Sequence, residues 1–426
     1  MEKFNATSPS PLWSDHPLFG EPSFTPDEDL VPPRDCRTPE VPWAPRYVNQ
    51  IREWIEACNK LHGNACVPEP VPRRPPEDVP LWLIDTDEQR IVPGLSAHRY
   101  LALSYVWPES RGSADSAAAP PPRTLLLDNA SVADFQQSGF LGSPDTEQRI
   151  PAVIRHAIEF TCALGERYLW VDRLCIVQDD VGDGGTLSQV GKMDKIYSGA
   201  YLTIIAAATD KMYEKSAAFE GPIYEWPMFK TADSRRRMDW REREISARYV
   251  MLSRSRWATR GWTYQEQILC KRAVVFIESG FFWDCHCCVW DGVDLFPRQD
   301  FEGIALRADM GQRLNTRSWP DFSLYLDLVC PYNGRQFSYP QDAMLGVTGV
   351  LNALDKSFPG GFVYGLPRLF LDHALLWQPF GTGERRVDRS EDVDEAAPLE
   401  LIAISTGSAQ ARDMRASLEW RIYETA

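Results

Sequence analysis

Two groups of side chains have the types and spacing that chemistry requires. Tyr105 and Trp107 close one apolar run (Tyr100–Tyr105), and Asp172 and Arg173 close another (Tyr168–Asp172). Both runs read as strands, and in open α/β sheets ligands gather beyond the carboxyl ends of the strands, so these four residues are expected around one rim. Asp172 can act there as a pocket acid or cap the turn that follows, and the residues leave the two roles equal. The second group is sulfur and imidazole: Cys58, His62 and Cys66 at four-residue intervals, and Cys285, His286, Cys287 and Cys288 in a row. Either cluster could contribute to a zinc site if the fold joined them. Neither has the paired-ligand spacing of a finger, so buried reduced thiols are the better expectation and no metal is assigned. Cys175, set between Leu174 and Ile176, reads as a packing thiol and not a nucleophile. The chain has no G-x-G-x-x-G loop, and ordinary Rossmann cofactor binding is not supported.

The elements that must position these groups alternate along the chain. Tyr47–Leu61 repeats Ile51, Trp54, Ile55, Cys58 and Leu61 at helical spacing and stops at Gly63. Leu81–Asp85 is strand-like and predicts a hairpin edge. Pro151–Leu164 predicts a helix with Pro in its first turn, an Ile154, Ala157, Ile158 stripe and Gly165 as its stop. Met193–Ser198 ends a second helix before the strand Tyr201–Ala207, and Trp262–Leu269 is a third helix running into the strand Ala273–Ile277. Such alternation predicts an α/β fold with a mainly parallel sheet flanked by helices. After Phe282 the pattern fades, and apolar segments at Ser338–Ala353 and Leu366–Trp377 predict a mostly helical C-terminal part. The expected organisation is a Pro-rich leader with one short helix (1–80), a sheet domain (81–280) and a helical or irregular region packed on it (281–426).

Composition narrows the function classes. The formal charge of −15 over 426 residues argues against a general nucleic-acid surface. The one basic run, Arg235–Arg237, sits among Asp239, Glu242 and Glu244, which makes it a sign-mixed loop. Met1–Gly20 lacks the basic-then-apolar order of a secretory signal, and no apolar run approaches the roughly 18–20 residues of a membrane helix. A cytoplasmic protein with reduced thiols and no membrane span is expected. The fifteen Trp and 33 Pro imply aromatic-anchored packing joined by long connections.

Four segments, in order, resemble the fungal heterokaryon-incompatibility (HET) domain: Tyr100–Trp107, Tyr168–Asp180, Met193–Ala200 and Arg260-Gly-Trp-Thr-Tyr-Gln-Glu266. The resemblance covers roughly 81–276, and Trp54 with Cys58, His62 and Cys66 upstream and Tyr339–Asp342 downstream also resemble the family. Pro108 stands where the family usually has Gly, and the long C-terminal region of relatives is not matched before Ala426, which implies a reduced regulatory part. The family implies a role in self/non-self recognition that ends in programmed cell death, with another incompatibility protein or a second copy as partner. A weaker similarity joins HET domains to Toll-receptor-like (TIR) domains, whose core is flavodoxin-like and some of which cleave NAD with a helix-borne glutamate. That similarity implies Glu266 as catalytic carboxylate, Trp262 against a ring of the substrate, and Tyr105 and Asp172 lining the pocket. Read without it, Glu266 is a helix-surface carboxylate pairing with Arg260 or Arg272. The leading expectation is a signalling or assembly module; the alternative is an NAD glycohydrolase, with NAD as substrate and no resident cofactor. A metal-dependent hydrolase is a distant third, because it needs ligand convergence that the sequence does not display.

Overall fold

The computed structural model describes residues 45–68, 75, 78–107, 124–180, 186–208, 248–278, 280–291, 294–297, 314, 319–340 and 342–376. The Pro-rich leader before residue 45, the loop containing Pro108, the Arg235–Arg237 run and the acidic segment 381–398 lie outside them.

A nine-stranded sheet organises the described residues. In chain order its strands are β1 (Trp82–Asp85), β2 (Arg90–Pro93), β3 (Tyr100–Tyr105), β4 (Tyr168–Trp170), β5 (Leu202–Ala206), β6 (Arg272–Ile277), β7 (Gly280–Cys285), β8 (Cys288–Asp291) and β9 (Asp294–Pro297). Across the sheet they stand β2-β1-β4-β3-β5-β6-β7-β8-β9. The expectation of a mainly parallel sheet is corrected here. Only β4-β3-β5-β6 pair in parallel, and the β1–β2 hairpin on one side and the β6–β9 meander on the other are antiparallel, so the sheet is mixed. The reason is local. Gly280 at φ +140 lets β6 fold straight back onto β7, where Ile277 faces Gly280 in the register, and no helix intervenes.

The parallel strands β3, β5 and β6 are buried along their whole length, as expected of strands covered on both faces. Helix α1 (Pro45–His62) ends at Gly63, whose φ of +47 needs no Cβ. Helix α2 (Ala152–Ala163) buries Val153, Ile154, Ala157 and Phe160 and packs on β3 and β4. It stops where Gly165 takes φ +80, its N–H donating to Cys162 O (2.8 Å) while Glu166 N–H donates to Thr161 O (3.1 Å). This paired closure satisfies two terminal carbonyls. On and beside the sheet lie α3 (Asp172–Cys175), α4 (Met193–Gly199), α5 (Arg256–Thr259) and α6 (Trp262–Leu269). The C-terminal helices α7 (Phe322–Asn333) and α8 (Asp342–Asp355) follow, and α8 packs across α6 and α4. Gly349 permits that approach, because a Cβ there would stand 2.8 Å from Gln265 Oε1. Leu366–Trp377 is not the expected helix: Leu366–Pro367 is a two-residue strand, followed by a turn of 3-10 helix (Arg368–Phe370) and a short helix (Leu371–Ala374).

The hairpin edge is held by a buried carboxylate. Asp85 is 2% exposed and accepts two hydrogen bonds from Arg167, from Nη2 at 2.7 Å and Nε at 3.0 Å, while also accepting from the amides of Asp87 and Glu88 (3.2 Å each). Removing the guanidinium leaves that charge short of its partner. Arg167→Met is therefore expected to lower stability by about 2 kcal/mol, less than for a fully enclosed pair because the Arg167 side chain keeps contact with solvent. The check is the urea midpoint: a shift at constant slope supports the account, and no shift removes it.

Candidate functional site: acids buried at the carboxyl end of the parallel strands

The parallel core positions an acid cluster. Asp172 follows β4 and opens α3, Tyr105 ends β3, and Glu266 lies in α6, which packs against β3. Asp172 Oδ2 accepts a hydrogen bond from Trp107 Nε1 (2.6 Å) and Oδ1 accepts from its neighbour's amide, Arg173 N (2.6 Å). Asp172 thus bonds the backbone at the first residues of α3, whose N-cap position is Val171, and lies beside Trp107. Arg173 lays its guanidinium over the Trp107 ring, 4.5 Å from the centroid, and donates from Nε to Leu125 O (2.8 Å). The carboxyl of Asp172 lies deep although part of the residue remains accessible. Burial raises its pKa, and the Trp107 and Arg173 donors pull against that rise.

Glu266 is buried, and burial together with the nearby Asp172 carboxylate lifts its pKa to about 8. The hydroxyls of Ser104 and Tyr197 stand against it and oppose the shift. Ser104 Oγ accepts from Trp257 Nε1 (2.8 Å), leaving its own proton to offer, and Tyr197 also reaches Leu103 O (3.1 Å). Glu266 Oε2 has no hydrogen-bond partner among the described residues, while the hydroxyl of Tyr105 stands against the Asp172 carboxylate. That hydroxyl lies within electrostatic reach of Asp172 and Glu266, and its pKa is raised by burial first and by Asp172 next. An unpartnered buried carboxyl oxygen is uncommon, since buried polar atoms are normally satisfied.

The structure thus brings Tyr105, Trp107, Asp172, Arg173 and Glu266 to one end of the parallel strands. Trp262 is placed differently: it packs edge-on against Phe337 at 6.2 Å and donates to Asp342, toward the C-terminal helices. The alternative of a surface carboxylate paired to arginine does not hold for Glu266. Arg260 donates to Ser338 (3.0 Å), and Arg272 donates to Tyr201 O and Asn59 Oδ1. The sequence alone does not bring Ser104 or Tyr197 to Glu266; a hydroxyl inside the apolar run Tyr100–Tyr105 is the available signal for Ser104.

Cys175 is packing, as expected. Its thiol accepts from Val171 N (3.4 Å), and burial pushes its pKa up to about 12, which leaves no thiolate at neutral pH. The two Cys/His clusters do converge. One ligand atom each from Cys58, His62, Cys66 and Cys285 lie within 4.8 Å of one another, meeting the condition that the sequence left open. The expectation of wholly reduced cysteines has one exception, because Cys162 is disulfide-bonded.

Residues 100–266 match the family model described as Heterokaryon incompatibility protein (HET). The chain carries a HET domain there, beginning at the first residue of β3 and ending on Glu266. Comparison with curated proteins gives no match, and comparison with solved structures gives none either.

Proposed function

We propose that this HET-domain chain serves self/non-self recognition as a non-enzymatic signalling module, associating with itself or with another incompatibility protein in the cytoplasm to trigger cell death. The observation that carries this reading is the enclosure of Glu266, which is buried with the hydroxyls of Ser104 and Tyr197 against it and Asp172 nearby. Its burial beneath α8 and the sheet suits a group that fixes the packing of α4, α6 and β3.

A second reading, a TIR-like NAD glycohydrolase, is favoured by one specific observation: the unpartnered Oε2 of Glu266. A ribose hydroxyl donating to that oxygen would satisfy it. The spatial order of the parallel strands, with β4 and β5 on either side of β3 and β6 beyond, is also that of flavodoxin-like sheets, whose ligands sit where the chain reverses direction beside the first strand.

One experiment separates the two. Purified full chain and Glu266→Ala, matched by circular dichroism, are assayed for NAD consumption at high protein concentration while light scattering reports their association. The module reading expects concentration-dependent assembly and no turnover in either protein. Turnover present in the parent and lost in the variant overturns it in favour of the hydrolase.

A further inference from the structure

We infer that Cys58, His62, Cys66 and Cys285 form a structural zinc site that fastens the N-terminal helix to the antiparallel end of the sheet. Cys58 and His62 lie one turn apart at the end of α1, on one face of the helix. Gly63, at φ +47, then turns the chain, and a short 3-10 turn (Gly63–Ala65) closed by Cys66 N and Val67 N on Gly63 O brings Cys66 back beside them. Cys285, the last residue of β7, arrives from more than 200 positions along the chain, its Sγ 3.5 Å from His62 Nδ1. Cys58 is in hydrogen-bonding contact with both Cys285 and Cys66, and all four ligand atoms fall within 4.8 Å. A tetrahedral zinc with bonds of about 2.3 Å to sulfur and 2.0 Å to nitrogen requires ligand separations of roughly 3.5–3.8 Å. Small side-chain adjustments close the difference.

A second observation points to a negatively charged centre at this place. Arg272 faces Cys285 directly across the β6–β7 ladder, is 1% exposed, and has no carboxylate partner among the described residues. Its Nε and Nη1 donate to Tyr201 O and Asn59 Oδ1, while Nη2 has no hydrogen-bond partner. A guanidinium this deep needs a counter-charge. Zinc held by three thiolates and a neutral imidazole carries one net negative charge, and Arg272 acts on both Cys58 and His62 from close by. Forming the site releases three thiol protons, and His62 binds through Nδ1 without losing its remaining N–H. Cys287, 3.6 Å from Cys66, and Cys288, 3.5 Å from Cys285, border the site outside the set of four. Four protein ligands, three of them buried and His62 half-buried, leave no coordination place for water, which makes the site structural and not hydrolytic.

The test is metal content of the full chain from zinc-supplemented growth, after gel filtration in chelator. About one zinc per chain is expected, falling below ~0.2 in Cys58→Ser, Cys66→Ser and His62→Ala. Cys175→Ser and Cys330→Ser are expected to retain it. Cobalt replacement is expected to give the intense visible bands of a tetrahedral, thiolate-rich site. His62→Cys, which keeps four ligands, is expected to keep the metal with a changed cobalt spectrum, so the site remains testable if another variant misfolds. A metal-free parent that takes up no cobalt, equal zinc in parent and ligand variants, or a disulfide among these cysteines in the parent would each overturn the proposal.

Discussion

Glu266→Gln is expected to remove a large part of the alkaline sensitivity of this fold. In the folded chain the carboxyl titrates near 8, against an ordinary value of 4.5. Between those values the folded state holds a proton that the unfolded chain has released, so stability falls as pH rises through the window and the loss is complete above about 8. The cost is on the order of 5 kcal/mol. Glutamine has nearly the shape of the protonated acid and does not titrate. Parent and variant should therefore have similar urea midpoints at pH 5, and at pH 9 the variant should be the more stable. Glu159, lifted to about 7 by burial, and Asp172, Asp194 and Asp342, which burial also raises, leave a slope of the same sign in the variant. Parallel midpoint-against-pH profiles for the two proteins would show that Glu266 is already ionised in the native state and would overturn this expectation.

Trp257→Ala is expected to be the most damaging single truncation near the site, at about 3–5 kcal/mol. The ring is 1% exposed and fills the space between α5 and β3, with its indole N–H donating to Ser104 Oγ. Its carbonyl also accepts from Thr263 Oγ1 (2.6 Å), which ties α5 to the first turn of α6. Losing the ring therefore loosens the element that carries Glu266. Trp257→Phe keeps most of the packing and loses the hydrogen bond, for about 1–2 kcal/mol. Chemical denaturation of the pair checks both figures. A Phe variant as unstable as the Ala variant would place the energy in the Ser104 contact and not in the buried ring.

The parallel core was legible because β3, β4, β5 and β6 are short continuous apolar runs set between helical periods, a pattern that survives without knowledge of their neighbours. Helix α1 was equally plain, down to its stop at Gly63. The meander was not. Gly280–Cys285 has an apolar start, but it ends in Asp284 and a Cys/His cluster, and only its pairing with β6 shows that those polar residues are interior. The rim of Tyr105, Trp107, Asp172 and Arg173 could be placed because strand ends can be read locally. What surrounds Glu266 could not, since Asp172, Ser104 and Tyr197 reach it from three separate elements whose adjacency is a property of strand order. The convergence of Cys285 with Cys58, His62 and Cys66 was hidden for the same reason: spacing along a chain says nothing about contacts made across more than 200 residues.

The mixed sheet also sets an order of assembly. The pairs β6–β7, β7–β8 and β8–β9 join neighbours in the chain, so this ribbon has low contact order and little loop entropy to overcome. Strand β3 meets β5 only when Leu101 finds Leu202, and it meets β4 only when Leu101 finds Leu169. During synthesis β3 therefore emerges as a largely apolar strand well before its partners, and this interior strand of the native sheet is exposed meanwhile to mispairing with other chains.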